Sequence, residues 1–242
     1  MKLNVSYDGT EYHGWQMQDN AVTVQGVLTA AVGKVIPGVS NVNGCSRTDA
    51  GVHARGYVCN FHCNTSIPSQ NLPNALNSKL PSDIRVLSAE FVDEDFNARF
   101  SAISKTYKYL IYKDEVLDPF WRNYVYHTNW EIDIEKMVQA SENMVGEHDF
   151  SAFMATGGTQ TTTVRRVNYI NVTKRDKIIE IEINANAYLY NMVRIIAGTL
   201  FYCGCGKIKP SEIEGIILSG DRVKAGITLP PQGLFLEKVY YQ

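Results

Sequence analysis

The chain has 242 residues, of which 45% are hydrophobic and 20% charged, and its formal net charge is −2. This composition is enough for a packed core, and the near-neutral charge excludes a strongly basic domain, so any nucleic-acid-binding face must be local. The N-terminus lacks an apolar signal segment and no apolar run is long enough to span a bilayer, so we expect neither secretion nor membrane insertion.

The first hundred residues predict the element order β-α-β-α-β. Leu3, Val5 and Tyr7 alternate with polar residues, as in a strand that ends at a turn. Apolar residues then recur at helical spacing between residues 24 and 35, and a Pro-Gly pair ends that helix. The next three segments predict a strand, a short helix and a strand, and they read GYVCNFHC, LPNALNSKLP and DIRVLSAEFV.

A similar order begins again after residue 100. The segments predict a strand, a helix, a two-stranded hairpin, a helix and a strand, and they read TYKYLIYK, DIEKMVQASENMVG, VNYINVTKRDKIIEIEINA, YLYNMVRIIAGTLFYCG and GLFLEKVYY. We therefore predict an α+β protein with two similar halves, residues 1–100 and residues 101–242. The halves are expected to share a mixed, mainly antiparallel sheet with helices on one side.

Charge is distributed unevenly along the chain. Residues 97–113 are basic with no acid, residues 160–177 are basic with one acid, and residues 131–149 are mostly acidic. The two basic stretches could line a positive groove on one face of the protein. A solvated surface of mixed sign explains the same pattern equally well.

The sequence lacks the common marks of metal and cofactor sites. The five cysteines do not form the paired CxxC of a zinc site, and we expect reduced thiols in a cytoplasmic protein. Motifs for a P-loop, a Rossmann dinucleotide site, a zinc hydrolase and a hydrolase nucleophile are also absent from the sequence. We therefore expect no metal and no cofactor.

The most distinctive segment is GCSRTDAGVHARG, residues 44–56, which places Asp49 between Arg47 and Arg55. Taken alone, Thr-Asp-Ala-Gly is a common turn composition, because aspartate caps the local backbone and glycine supplies a positive φ. The neighbouring arginines favour a second interpretation, in which the loop carries a functional carboxylate.

Two distant residues could complete a site around this carboxylate. In the predicted last helix, Arg194 lies about 140° from the middle of a narrow apolar stripe, so its guanidinium faces away from the core. An arginine can keep a partly buried carboxylate ionised through bidentate hydrogen bonds. Tyr107 lies on a strand beside Lys105 and Lys108, and an aromatic ring with basic neighbours is typical of base stacking. An ordinary surface ion pair for Arg194 and core packing for Tyr107 are the alternatives.

Segments along the whole chain resemble the tRNA pseudouridine synthases of the TruA type. They read YDGTEYHGWQ, TVQGVLTAAV, GCSRTDAGVHA, ALNSKLPSDIRV, FNARFSAISKTYKYLIY, GEHDFSAF, YLYNMVRIIAGTL and PPQGLFLEKVYY. The aspartate loop is the most specific of them. The resemblance implies the pseudouridine-synthase fold, with ferredoxin-like or RRM-like halves, and an isomerase that needs no cofactor and no metal.

The same resemblance assigns roles to individual residues. Asp49 matches the catalytic aspartate, Tyr107 the tyrosine that lies against the target uracil, and Arg194 the arginine that pairs with the aspartate. Arg47 matches the loop arginine that helps displace the target nucleotide. Lys105 stands where relatives often carry arginine, which keeps a phosphate contact but removes a planar guanidinium. Arg55 is likewise expected to bind the substrate.

The family's reaction would convert uridine to pseudouridine at positions 38, 39 and 40 of the tRNA anticodon stem-loop, in a homodimer. The target nucleotide must leave the stacked stem, at a cost of a few kcal/mol. The carboxylate could attack C1′, add to C6 or take the 2′ proton, and the sequence leaves these routes open. Tyr107 could act as general base for the C5 proton.

Two other functions remain open at this point. An RNA-binding protein on the same scaffold could have lost turnover while it still assists tRNA folding. A carboxylate glycosidase is the other alternative, but it normally uses two acids about 5–10 Å apart. No acid in the sequence pairs naturally with Asp49.

Overall fold

The computed structural model describes residues 1–158 and 160–242. In chain order the helices and strands are β1 (Lys2–Tyr7), α1 (Val24–Val35), β2 (Asn43–Gly44), β3 (His53–Asn60), α2 (Leu72–Asn77), β4 (Ile84–Glu90), β5 (Ala102–Lys113), β6 (Tyr126–Thr128), α3 (Ile134–Glu142), β7 (Gly146–Asp149), β8 (Val164–Arg175), β9 (Ile178–Ala185), α4 (Met192–Gly204), α5 (Ile213–Ser219) and β10 (Leu234–Tyr241). Every predicted helix and strand is present. The sequence patterns missed β2, β6, β7 and α5, which are too short to show a clear period.

The chain divides into two compact units. The first comprises Met1–Ile103 and Phe235–Gln242, and the second comprises Ser104–Leu234. The predicted halves placed the last strand in the C-terminal half, whereas it groups with the first unit. Within this unit β10 pairs parallel with β3, with Phe235 opposite His53, and such a pairing leaves no trace in the order of the sequence.

The first unit has a mainly antiparallel sheet. β1 pairs antiparallel with β3 and with β4, β2 pairs antiparallel with β3, and only β10 runs parallel to β3. Leu3, Val5 and Tyr7 are all buried, as their alternation predicts. Thr23 begins α1, because its side chain accepts a hydrogen bond from the Gly26 amide at 3.3 Å.

The second unit is built on the β8–β9 hairpin. β9 pairs antiparallel with β5 as well as with β8, β8 pairs antiparallel with β7, and β6 runs parallel to β5. The register places Tyr107, Tyr109 and Ile111 opposite isoleucines of β9, whereas Lys108 on the other face lies opposite Glu182. The predicted shared face of these three residues is therefore confirmed, and so is the α+β class with mainly antiparallel pairing.

The helix α4 is buried on almost every side. Within it only Arg194 and Tyr202 are not fully buried. The predicted apolar stripe is buried, but it is not the only buried side, because α3 and residues 226–229 cover further sides of the helix. Of the helices that the described residues form, none is both long and apolar enough to cross a membrane.

Candidate active site

The predicted site residues are divided between the two units. Arg47, Asp49 and Arg55 belong to the first unit, and Lys105, Tyr107 and Arg194 belong to the second. That Asp49 meets Tyr107 and Arg194 therefore stays a prediction. The local geometry within each unit nevertheless explains how most of these side chains are held.

The loop that carries Asp49 connects β2 to β3 and is fixed along its backbone. Trp15 donates its amide to the Thr48 carbonyl at 3.1 Å, and Gly51 donates its amide to the Tyr12 carbonyl at 3.2 Å. The hydroxyls of Tyr7 and Thr48 form a buried hydrogen bond of 2.8 Å. Asp49 is half-buried between these anchored neighbours. Its position is thus set by residues 7–15, a contact that the sequence analysis missed.

Two glycines make this close approach possible. Gly14 has a φ of +82°, and a Cβ at this position would lie 2.4 Å from the Thr48 carbonyl oxygen. Gly51 has a φ of +77° in a turn that the Val52 amide closes on the Asp49 carbonyl at 3.2 Å. Both conformations favour glycine. The turn interpretation of this segment is therefore confirmed for the backbone.

Two stacked aromatic side chains, Trp15 and Tyr57, support the loop that carries Asp49. Trp15 is 2% exposed and stacks on Tyr57 with ring centroids 4.1 Å apart. The Tyr57 hydroxyl donates to the Ser46 carbonyl, three residues before Asp49. Burial raises the pKa of Tyr57 well above its ordinary value, so this hydroxyl stays a donor at neutral pH. Trp15 is therefore a core residue rather than a base-stacking one.

The two loop arginines have different surroundings. Arg47 is exposed, and no residue that the structure describes forms a hydrogen bond or ion pair with it. Arg55 lies on β3, where its guanidinium is 5.0 Å from the Phe235 ring centroid and its Nη1 is 3.6 Å from Glu237 Oε2. Arg55 thus contacts β10 while its side chain stays about half exposed, whereas Arg47 is exposed to solvent.

Tyr107 lies in the middle of β5 and is 6% exposed. Its ring packs edge-to-face against Tyr188, with centroids 4.9 Å apart and an interplanar angle of 79°. The Tyr188 hydroxyl lies 2.9 Å from the carbonyl oxygens of both Lys105 and Ile183, and it donates to one of them. The alternative that Tyr107 packs in the core is therefore confirmed for most of its surface. A role of its ring in base stacking stays a prediction.

Arg194 lies in the first turn of α4, and its guanidinium is held from two sides. Nε donates to the Leu229 carbonyl at 2.7 Å, and Nη1 donates to Asn191 Oδ1 at 2.7 Å. Two bonds to different nitrogens fix the plane of the guanidinium. Neither Asn191 nor Leu229 was singled out from sequence, because nothing in the local pattern links them to Arg194.

Several basic side chains of the two basic stretches are neutralised locally. The ion pairs join Lys108 to Glu180 and Glu182, Lys113 to Glu131, Arg166 to Glu147, and Lys177 to Asp114. For these residues the structure favours a surface of mixed sign over a positive groove.

All five cysteines are free, as expected for reduced thiols. Cys203 lies inside α4 and is fully buried, and burial raises the pKa of its thiol from 9.0 to about 12. Burial also raises the pKa of the Cys59 thiol on β3. These two thiols are therefore structural and unreactive at neutral pH.

Comparison with known proteins agrees with the resemblance seen in the motifs. A family described as tRNA pseudouridine synthase matches residues 4–101 and 140–242. A tRNA pseudouridine synthase A from Thermoanaerobacter sp. (strain X514) is 53% identical over 237 residues, which cover 98% of this chain and 97% of that protein. A protein of the same name from Ruminiclostridium cellulolyticum is 48% identical over 242 residues, which cover 100% and 99%.

A chain in the crystal structure of a Cbf5-Nop10-Gar1 complex aligns with a TM-score of 0.40 at 12% identity, over 98% of this chain and 48% of that one. This likeness is too weak to carry an argument. The full-length sequence similarity is decisive instead, because two relatives near 50% identity and the family match agree. The chain therefore belongs to the tRNA pseudouridine synthase family, and it is a pseudouridine synthase, an enzyme of the isomerase class.

Proposed function

We propose that this enzyme converts uridines 38, 39 and 40 in the anticodon stem-loop of tRNA to pseudouridine, with Asp49 as its catalytic residue. The main support is the fixed backbone of the aspartate loop, which Thr48 and Gly51 tie to residues 7–15. A carboxylate on a rigid loop suits a reaction in which it must reach the ribose or the base at one set position.

The reaction is an internal rearrangement. The N1–C1′ bond of the uridine breaks, a C5–C1′ bond forms, C5 loses a proton and N1 gains one, so no net oxidation takes place. In the proposal Arg194 keeps the Asp49 carboxylate ionised, and Tyr107 lies against the uracil and accepts the C5 proton. The guanidinium anchors at Leu229 and Asn191 support this role for Arg194.

Arg47 is the proposed residue for displacing the target nucleotide. Its exposed guanidinium, without a partner in the described part of the chain, can enter the space that the nucleotide vacates. This contact would offset the unstacking cost of a few kcal/mol. Lys105 is proposed to contact a phosphate near the target, and the half-exposed Arg55 a phosphate further away.

The proposed enzyme is a cytoplasmic homodimer, in which one subunit holds the body of the tRNA while the other modifies it. Sedimentation at assay concentrations tests the dimer. Full activity from a strictly monomeric preparation would contradict it. Because phosphate contacts release counterions, we also expect tRNA affinity to fall steeply with salt, and a flat response would count against charged binding.

Tritium release from tRNA labelled with [5-³H]uridine tests the catalytic assignment. Asp49→Asn keeps the shape of the side chain and removes its charge, and we expect single-turnover release to fall at least about a thousandfold. Asp19→Asn makes the same chemical change at an exposed residue outside the loop and should leave the rate within twofold. Equal rates for Asp49→Asn and the parent would refute the proposal.

The target positions need a separate measurement. Transcripts that retain a single uridine at position 38, 39 or 40, with cytidine at the other two, should each be modified at that position. Modification mapped only elsewhere in the tRNA would refute the proposed specificity while leaving the isomerase class intact. A parent protein that binds tRNA and releases no tritium would instead favour the RNA-binding alternative.

A further inference from the structure

The helix α4 begins with an unusual cap. An asparagine at this position normally has extended dihedrals, and its side chain accepts a hydrogen bond from a backbone amide of the first turn. Asn191 instead has φ 59° and ψ 9°, in the left-handed region, and its side chain makes no capping bond. Its Oδ1 atom accepts the hydrogen bond from Arg194 Nη1 at 2.7 Å.

Two other helices of the protein show the ordinary arrangement. Thr23 at α1 and Asp133 at α3 both have extended dihedrals, and each side chain accepts a hydrogen bond from the backbone amide three residues later in the sequence. At α4 the side-chain oxygen of the cap residue instead accepts a hydrogen bond from a side chain three residues later in the sequence, and not from a backbone amide. A local rule that is broken in this way points to a functional demand at that position.

The second anchor of Arg194 comes from a separate segment of the same unit. Residues 226–229 lie directly on α4, because the Gly226 amide donates to Thr199 Oγ1 at 2.9 Å and the Leu229 amide donates to the Arg194 carbonyl at 3.3 Å. The Leu229 carbonyl then accepts from Arg194 Nε at 2.7 Å. Asn191 and Leu229 thus accept from two different nitrogens of the guanidinium and fix its plane.

We propose that Asn191 is a positioning residue, which orients the Arg194 guanidinium for its catalytic partner. It acts through Arg194 and makes no contact with the substrate. The left-handed backbone conformation of Asn191 contributes to this positioning, since it turns the side chain toward the guanidinium. This inference rests on the proposed function, in which Arg194 pairs with the catalytic carboxylate.

The test is Asn191→Gly. Glycine adopts the same positive φ without strain, so the change removes the acceptor oxygen and keeps the backbone. We expect the single-turnover rate to fall about 10- to 100-fold, the scale of a misplaced catalytic group. The dissociation constant for tRNA should stay within twofold. A rate within twofold of the parent would overturn the proposal.

A matched control separates positioning from folding. Asp176 in the β8–β9 turn is, within the described ranges, the other non-glycine residue at positive φ, with φ 53°. Asp176→Gly makes a comparable backbone change far from Arg194 along the chain and should leave the single-turnover rate within twofold. Equal rate losses in the two variants would assign the effect to the backbone and would overturn the proposal.

A double variant tests whether Asn191 acts through Arg194. Arg194→Lys removes the Nη1 donor, so adding Asn191→Gly to it should cause no further loss of rate. A further tenfold loss would overturn the proposal. Failure of the proposed function looks different, because Asp49→Asn would then stay active. If Asp49→Asn and Arg194→Lys are both impaired while Asn191→Gly keeps the parent rate, only the positioning role fails.

Discussion

Replacing Gly198 with alanine tests how closely residues 226–229 approach α4. A Cβ at Gly198 would lie 1.9 Å from the carbonyl oxygen of Ile227 and 3.0 Å from its carbonyl carbon. Both are backbone atoms and cannot rotate away, so the helix or the segment must move. Because Leu229 in the same segment accepts the hydrogen bond from Arg194, that acceptor moves as well.

The size of the effect follows from two opposing contributions. Forcing an extra methyl group into a packed interior typically costs about 1–3 kcal/mol. Alanine in place of glycine inside a helix raises the free energy of unfolding by about 1 kcal/mol. The contact is with rigid backbone, so the cost lies near the upper end of its range, and we expect Gly198→Ala to lower the free energy of unfolding by about 2 kcal/mol.

Urea unfolding followed by far-UV circular dichroism measures this change, with Gly215→Ala as the matched control. Gly215 is an exposed residue of α5, and a Cβ there meets no atom within 4 Å. The control substitution Gly215→Ala should therefore raise the free energy of unfolding by up to about 1 kcal/mol. If Gly198→Ala is as stable as Gly215→Ala, residues 226–229 do not lie on α4 and the reasoning is refuted.

Two further predictions concern groups outside the loop. The raised pKa of Cys203, about 12 against 9.0, means that the folded protein keeps this proton while the unfolded chain loses it. The contribution of this thiol to the free energy of unfolding is therefore full below pH 9 and falls above it, with a limiting slope of about 1.4 kcal/mol per pH unit. Cys203→Ala should flatten the curve of unfolding free energy against pH between pH 9 and 10. An unchanged slope would contradict the buried thiol. Tyr241→Phe removes a 2.7 Å hydrogen bond to the Ala98 carbonyl and should lower the free energy of unfolding by about 1 kcal/mol. Tyr240→Phe is its control, with a change below about 0.5 kcal/mol, and equal changes would argue against the Tyr241 bond.

The sequence by itself determined the features that depend on local periodicity and on residue chemistry. Alternation predicted β1 and the shared face of Tyr107 and Tyr109, because side chains of a strand point to opposite faces in turn. Helical spacing predicted α1 and α4. The aspartate loop could be singled out because a carboxylate and two arginines lie within a few residues of one another.

The tertiary structure alone decided which distant segments touch. It grouped β10 with the first unit, buried α4 on nearly all sides, and brought the Leu229 carbonyl to Arg194. It also fixed Thr48 against residues 7–15. A periodic pattern shows which face of an element is apolar, but not which segment will cover it, since that depends on where the chain returns after many residues. For the same reason, the left-handed cap at Asn191 is visible only once its partner on the next turn of the helix is in place.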